Sequence, residues 1–354
     1  MISPKHQDNE ILIVGQGLAG TLLSYFLIKN NQPVKVLDQP MQGATSTIAA
    51  GIINPITGRR MVKSWRFEAL TSHARKTYLE IGCSLGISVF HEKNILRALP
   101  NVFEENEWDR RSGFEENQPY FCKEFDLEDY KSCITPARAW GELTGSAKVN
   151  LPLLTASFRQ YLQTNHLLIE SIFDYSALEF DDEKAIYKDI PYKKIVFCEG
   201  AKATENPYFN YLPFSTSKGE MLLVRIKGLN SLKMLKNKIY LVPLEKELFW
   251  VGSSNSFNFE GDNPTEEMLL YLRKELEEVL TIPFEILSHQ AGIRPTVTDK
   301  RPLLGLHPEL PNLGIFNGLG TKGASLGPLF AEQMALHLTC GSLLDEAVDI
   351  KRFN

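Results

Sequence analysis

The strongest constraint on the fold is a glycine turn set between a strand and a helix. Glu10-Ile11-Leu12-Ile13-Val14 is a short continuous apolar run of the kind that forms a strand buried on both faces. It runs into Gly15-Gln16-Gly17-Leu18-Ala19-Gly20. The spacing then predicts a helix from Leu18 to Lys29, with Leu22, Leu23, Phe26 and Leu27 inward and Asn30-Asn31 and Pro33 ending it. Val34-Lys35-Val36-Leu37-Asp38 reads as a second strand. A GxGxxG turn in this setting, followed by an acid at the end of the second strand, is the dinucleotide fingerprint. Gly15 permits the tight turn, Gly17 lets backbone approach a pyrophosphate, and Gly20 lets helix and strand pack closely. The helix N-terminus supplies free N–H groups and partial positive charge. Asp38 stands where a carboxylate accepts ribose hydroxyls.

The rest of the chain alternates between two characters. Helices are predicted over Phe67 to Leu85 (Phe67, Leu70, Ala74, Tyr78 and Ile81 inward), Leu151 to Gln163, Thr265 to Leu280 and about Pro328 to Thr339, the last stopped by Gly341. Ile195 to Cys198 and Leu313 to Phe316 read as further buried strands. Met221 to Ile226, Lys238 to Val242 and Leu248 to Val251 read as strands of an antiparallel sheet. The stretch from His91 to Glu142, charged and broken by glycine and proline, is a poor candidate for the central sheet. The expected fold class is α/β: a discontinuous Rossmann-type domain carrying a second, antiparallel β-rich α+β substrate domain. The expected division gives 1–90, 146–212 and 290–354 to the nucleotide and 91–145 and 213–289 to the substrate.

Two segments point to FAD. Ala44-Thr45-Ser46-Thr47-Ile48-Ala49-Ala50-Gly51-Ile52-Ile53-Asn54-Pro55 is small and hydroxyl-rich, so it can lie flat along a cofactor. Gly318-Leu319-Gly320-Thr321-Lys322-Gly323 repeats the GxGxxG spacing, yet too little chain follows for a second βαβ unit. Its helix N-terminus and Lys322 therefore serve the first nucleotide site, where they suit the electron-rich edge of a reduced flavin.

These segments, with Ala291-Gly292-Ile293-Arg294-Pro295 and Thr298-Asp299-Lys300-Arg301-Pro302-Leu303-Leu304-Gly305, resemble the D-amino-acid oxidase superfamily, which includes glycine and sarcosine oxidases. The C-terminal turn is most similar to the FAD domain of bifunctional tRNA wobble-uridine modification proteins. The resemblance implies that Leu18 and Ala19 contact the pyrophosphate and Asp38 and Gln39 the ribose. It implies that Thr45, Ser46, Ala50, Gly51 and Ile52 run along the cofactor. Leu319, Gly320, Thr321, Lys322, Gly323, Ala324 and Ser325 would cradle the flavin ring; Phe173 and Gly200 complete the expected cofactor set. Arg294 matches the arginine that holds the substrate carboxylate. Thr321 falls where glycine oxidases carry a second arginine, a departure that weighs against glycine itself. No covalent flavin attachment is implied, since Cys340 lies past the ring-binding turn.

The implied chemistry is oxidation of an amine or amino acid at its C–N bond. Hydride passes to flavin N5, water hydrolyses the imine, and dioxygen is the expected acceptor. Arg294, Lys322 and Thr321 are the candidate catalytic residues. Arg294 precedes Pro295, which holds it extended, and its fork offers bidentate bonds to a carboxylate. Two alternatives remain: oxidation of a carboxymethylaminomethyl group on tRNA, and a flavin-binding protein without turnover. The net charge of -5 and pI near 5.9 give no general attraction to nucleic acid. The basic run Arg59-Arg60-Met61-Val62-Lys63-Ser64-Trp65-Arg66 could still flank the site. The start, Met1 to Asp8, has no apolar h-region, no apolar stretch approaches ~20 residues, and the five cysteines form no CxxC pair. Reduced thiols in a cytosolic protein are expected.

Overall fold

Ile11–Val14 is apolar throughout, and it takes the one kind of position where both faces of a strand are covered. In the computed structural model, which describes residues 9–39, 44–181, 183–230 and 232–353, this strand pairs in parallel with Val34–Leu37 and Lys194–Phe197. Met1 to Asp8 lie outside the described residues. The sheet order is Leu168–Ile169, Val34–Leu37, Ile11–Val14, Lys194–Phe197, Leu313–Asn317, Leu303–Leu306. The first five run parallel and Leu303–Leu306 turns back antiparallel. Helices Leu18–Lys29, Phe67–Leu85, Leu151–Thr164 and Gly323–Cys340 share one core with this sheet. A second core, rich in Phe173, Tyr187, Tyr192 and Phe197, joins the sheet to the antiparallel meander Leu178–Phe180, Ala185–Tyr187, Ile190–Tyr192.

The helices follow the apolar periodicity closely. Leu18–Lys29 and Phe67–Leu85 have the expected bounds, and all nine expected inward residues are buried. The last helix departs from expectation, beginning at Gly323 instead of near Pro328. Proline removes the N–H that would bond the carbonyl four residues earlier. That carbonyl, on Ala324, instead accepts the buried Tyr78 hydroxyl at 2.9 Å, so the helix passes through Pro328 with its polar groups satisfied.

The second sheet has eight strands, in the order Glu285–Arg294, Ser217–Arg225, Leu248–Gly252, Tyr240–Pro243, Met234–Lys236, Ile95–Leu99, Ala139–Leu143, Phe121–Cys122. The charged stretch stays out of the six-stranded sheet, as expected, and contributes three strands here, because its apolar residues Ile95, Leu96, Leu99 and Leu143 are buried between charged neighbours. The sheet is mixed and not wholly antiparallel as expected, since Met234–Lys236 pairs in parallel with Ile95–Leu99. Glu285–Arg294, ten residues that cross the expected boundary at 290, pairs along the whole of Ser217–Arg225. One sheet face packs Leu222, Val224, Leu241 and Val251 on the helix Glu266–Val279. The other carries Met221, Val242 and Trp250 against Ala50, Ile56 and Met61. The segment after the second nucleotide strand is thus held against the inner face of the larger sheet.

Candidate cofactor and substrate site

The two glycine turns meet. Leu18 opens one helix and Gly323 the other, and a Cβ added at Gly323 would lie 3.1 Å from Leu18 Cδ2. The same contact repeats one turn on, where a Cβ at Gly327 would lie 2.6 Å from Leu22 Cδ1. Small residues thus bring both N-termini to one place, and neither helix has a side-chain cap. Two sets of orphan N–H groups and two positive dipole ends therefore converge.

The glycines of the first turn divide by role. Gly15 has φ +99°, and a Cβ there would meet the Cys198 carbonyl oxygen at 2.6 Å. At Gly20 a Cβ would lie 1.9 Å from the Gly15 oxygen. Both are needed for the fold. At Gly17 the nearest atom to an added Cβ is Ser46 Oγ, at 3.4 Å. Nothing among the described residues requires glycine there, so the bare backbone is a cradle that fits a phosphate group. A second sign of fit lies at the other turn. Thr296 Oγ1 is buried without a hydrogen-bond partner among the described residues, 3.5 Å from where Gly320 would carry a Cβ.

Asp38 ends the second strand as expected, but both its oxygens are already engaged. One accepts the Gln16 N–H at 2.8 Å, and the other accepts from Arg159 Nη1 at 2.6 Å. Arg159 also pairs with Glu170 at 2.8 Å. Its tie to Asp38 spans 121 residues and leaves no local trace in the sequence. Gln39 is exposed beside this pair. The segment expected to lie flat makes one helical turn, Thr45–Ile48. Thr45 donates to the Ile293 carbonyl at 2.6 Å, so its hydroxyl proton ties the segment to the larger sheet. Trp250 Nε1 donates to the Ile48 carbonyl at 2.7 Å from the same sheet. Ala50 is buried, and Gly51 has φ +68° with its α-carbon against the Val149 carbonyl. Ile52 opens the short strand Ile52–Ile53. Phe173 places its ring in the second core, stacked on Tyr187 at 4.4 Å. Gly200 has φ +59° and its carbonyl accepts from Asn317 Nδ2.

At the second turn Leu319 and Ala324 are buried and Thr321 is exposed. Ser325 Oγ donates to the Lys322 carbonyl. Lys322 Nζ donates to Ser64 Oγ at 3.1 Å, and Ser64 in turn donates to the Asn54 carbonyl. Burial, then Arg301 and Lys300 nearby, hold the Lys322 ammonium below its ordinary pKa. The basic run thus adjoins the site through Ser64, but its charges are largely neutralised. Arg59 pairs with Glu104 at 3.2 Å, Lys63 with Glu68 at 2.5 Å, and Arg66 with Asp345.

Arg294 ends the edge strand of the larger sheet. Its Nη2 donates to Ser253 Oγ at 2.7 Å and the Ser254 carbonyl at 3.1 Å, and Nη1 donates to Asn255 Oδ1 at 3.1 Å. Among the described residues no carboxylate pairs with it. The neutral loop fixes the fork and leaves its charge uncompensated. Tyr240, which sequence reasoning did not single out, lies in the same sheet. Its oxygen accepts from Asn54 Nδ2 at 2.8 Å and burial raises its pKa, so its own proton is free to donate. The four cysteines other than Cys340 are also free thiols, as is Cys340 itself.

A family described as FAD dependent oxidoreductase matches the chain over residues 10–336. Glycine oxidase of Bacillus subtilis (strain 168) is 21% identical over 343 residues, 90% of each chain. The tRNA 5-methylaminomethyl-2-thiouridine biosynthesis bifunctional protein MnmC of Idiomarina loihiensis is 32% identical over 136 residues, 37% of this chain. That match spans only 22% of the relative's length. The solved structure of glycine oxidase from Bacillus cereus ATCC 14579 superposes with a TM-score of 0.79 at 19% identity, over 95% of this chain and 96% of that one. Among the described residues no helix is long and apolar enough to cross a membrane.

Proposed function

Because the chain belongs to the FAD dependent oxidoreductase family, we propose that it oxidises the C–N bond of an amine that carries a carboxylate, with dioxygen as acceptor. The single observation that carries this reading is Arg294: a fork fixed by three neutral partners, with no acid among the described residues to balance it. A half-buried cation without a counter-charge carries a desolvation cost, and a carboxylate ligand offsets it. FAD, when bound, supplies the two-electron acceptor. Arg294 then grips the carboxylate and fixes the adjacent carbon. Tyr240 offers a hydroxyl proton to a polar group of the substrate. Lys322 holds positive charge at the start of the helix Gly323–Cys340, and the imine product leaves to be hydrolysed by water.

In this reading Leu18, Ala19 and Ser46 hold the phosphates, Asp38 with Arg159 the ribose, and Leu319 to Ser325 the ring. The expected division, 1–90, 146–212 and 290–354 for the cofactor and 91–145 and 213–289 for the substrate, then holds except at the strand Glu285–Arg294, which crosses 290 and carries Arg294 on the substrate side. FAD is held without a covalent bond. Cys340, at the far end of its helix, is about 26 Å from the turn at 1.5 Å per residue.

The 32% identical stretch favours a second reading, a carboxymethylaminomethyl group carried on tRNA. The ion-paired basic run weighs against it, since phosphate backbones bind uncompensated lysine and arginine. Anaerobic mixing of the FAD-loaded protein with amines, amino acids and tRNA tests both. The proposal expects flavin bleaching by at least one free carboxylate-bearing amine. Bleaching by the modified tRNA alone favours the second reading, and bleaching by none overturns both.

A further inference from the structure

The inner face of the larger sheet carries one continuous row of residues in register. From the edge strand inward it reads Gln290, Met221, Gly252, Tyr240, Lys236, Arg97. Directly opposed residues of a sheet share a face. This is the face that packs on Ala50 and Ile56, because Met221, Met234 and Ile95 join that core. Arg294 belongs to the same face, since its guanidinium lies over Gly219, two residues before Met221.

The far end of the row is cationic. Lys236 Nζ lies 4.5 Å from the centroid of the Tyr240 ring and donates to the Lys238 carbonyl at 2.6 Å. Among the described residues it pairs with no carboxylate. Arg97 stands opposite it, 4% exposed, donating to the Gly58 carbonyl and pairing with Glu104 at 3.3 Å. Arg97 Nε is buried with no hydrogen-bond partner among the described residues. Glu104 is also claimed by Arg59. Arg97 and Arg59 thus share one acid, and Lys236 stands beside them without a paired carboxylate among the described residues. Burial first, then Arg97, push the Lys236 ammonium down to about 8, while Glu104 and Glu275 pull it up. Core packing does not ask for this arrangement, and surface solvation does not explain it.

We infer that Lys236, backed by Arg97 and flanked by Tyr240, is a second anion subsite on the sheet face that carries Arg294, and that the substrate is an amine bearing two carboxylates. The inference rests on the Arg294 reading, with Arg294 taking the carboxylate next to the amine and Lys236 taking the distal one. The strands of Gly219 and Lys236 are three intervals apart, about 14 Å at ~4.8 Å each. The two long side chains cover part of that span, so the distal carboxylate lies several bonds from the amine. Tyr240 sits between the two cations, where its hydroxyl reaches the middle of such a ligand.

The test uses non-oxidisable acids and the flavin absorbance of the FAD-loaded protein. Succinate, glutarate, adipate and pimelate are each titrated beside the monocarboxylate of equal carbon number, on wild type, Lys236→Met and Lys236→Arg. The subsite predicts that at least one dicarboxylate binds at least tenfold tighter than its monocarboxylate partner. It predicts that this ratio falls to about one in Lys236→Met and recovers in part in Lys236→Arg. FAD content and thermal midpoint, measured on each variant, separate loss of the subsite from loss of the fold. Monocarboxylate binding without any dicarboxylate preference, or a preference that survives in Lys236→Met, overturns the second subsite and leaves the Arg294 reading standing. Absence of binding by every acid overturns both.

Discussion

A Cβ built on Gly219 would stand 1.8 Å from Arg294 Nη2 and 2.2 Å from its Cζ, so the arginine fork rests on the bare backbone of the neighbouring strand. Glycine is needed at this point for close approach, not for a turn. The clashing atoms are the far end of a flexible side chain, which can move. Gly219→Ala should therefore fold and keep FAD while displacing the guanidinium from its seat. We expect kcat/KM for a carboxylate-bearing amine to fall at least tenfold, roughly 1.4 kcal/mol of transition-state binding. Unchanged kinetics would show that the position of the fork does not matter.

Gly17→Val should yield soluble, folded protein without bound FAD. Among the described residues the one atom near an added Cβ at Gly17 is Ser46 Oγ at 3.4 Å, so the new side chain takes ligand space. Gly15→Ala and Gly20→Ala should instead damage folding, because their Cβ atoms meet backbone oxygens at 2.6 and 1.9 Å. Flavin absorbance and a melting curve on the three variants separate these outcomes. Normal FAD content in Gly17→Val would mean that the phosphates lie elsewhere.

Lys322→Met should slow the reductive or oxidative flavin half-reaction more than it weakens ligand binding. The lysine is anchored on Ser64 at the start of the last helix, where a fixed positive charge stabilises electron-rich groups. Stopped-flow measurement of both half-reactions is the check. Equal rates in wild type and variant would reduce Lys322 to a tie between Ser64 and the helix.

Much of this architecture is legible in the sequence, for definite reasons. Leu22, Leu23, Phe26 and Leu27 announce their helix by spacing alone, and Gly15 and Gly20 are explained by backbone contacts that any such turn makes. The strand Glu285–Arg294 is not legible, because as an edge strand it leaves Glu285, Leu287 and Gln290 exposed and blurs the alternation. The pairs Asp38–Arg159 and Asn54–Tyr240 join residues 121 and 186 apart, and Lys236 meets Arg97 only through sheet order. No local pattern encodes contacts of that kind. The motifs marked the cofactor end of the site, and tertiary packing built the substrate end.

Lys148 gives the fold a pH signature. It is 7% exposed, donates to the Pro243 carbonyl of the larger sheet at 2.9 Å, and is held down to about 8 by burial. Its unfolded value is near 10.5, so between the two values the unfolded chain binds more protons than the folded one. Stability contributed at this residue must then rise with pH from about 8 to 10.5, by on the order of 3 kcal/mol. Urea denaturation of wild type and Lys148→Met at pH 7.5 and 10 measures the difference. The wild type should gain on the variant as pH rises; a constant gap would place the ammonium in water.

The central claim is that Arg294 holds the carboxylate of an amine substrate. The direct measurement is kcat/KM on Arg294→Ala and Arg294→Lys, each with a carboxylate-bearing amine and with its carboxylate-free analogue, alongside FAD content. Charge-assisted hydrogen bonds contribute about 1.5–3 kcal/mol each, so loss of both arms predicts a fall of about a hundredfold or more for the carboxylate-bearing amine. Lysine keeps the charge without the planar fork and should recover only part of that loss. The analogue should be much less affected, and FAD should remain bound. Equal losses on both amines, or loss of FAD from Arg294→Ala, would contradict the account and make Arg294 a support of the fold or of the cofactor.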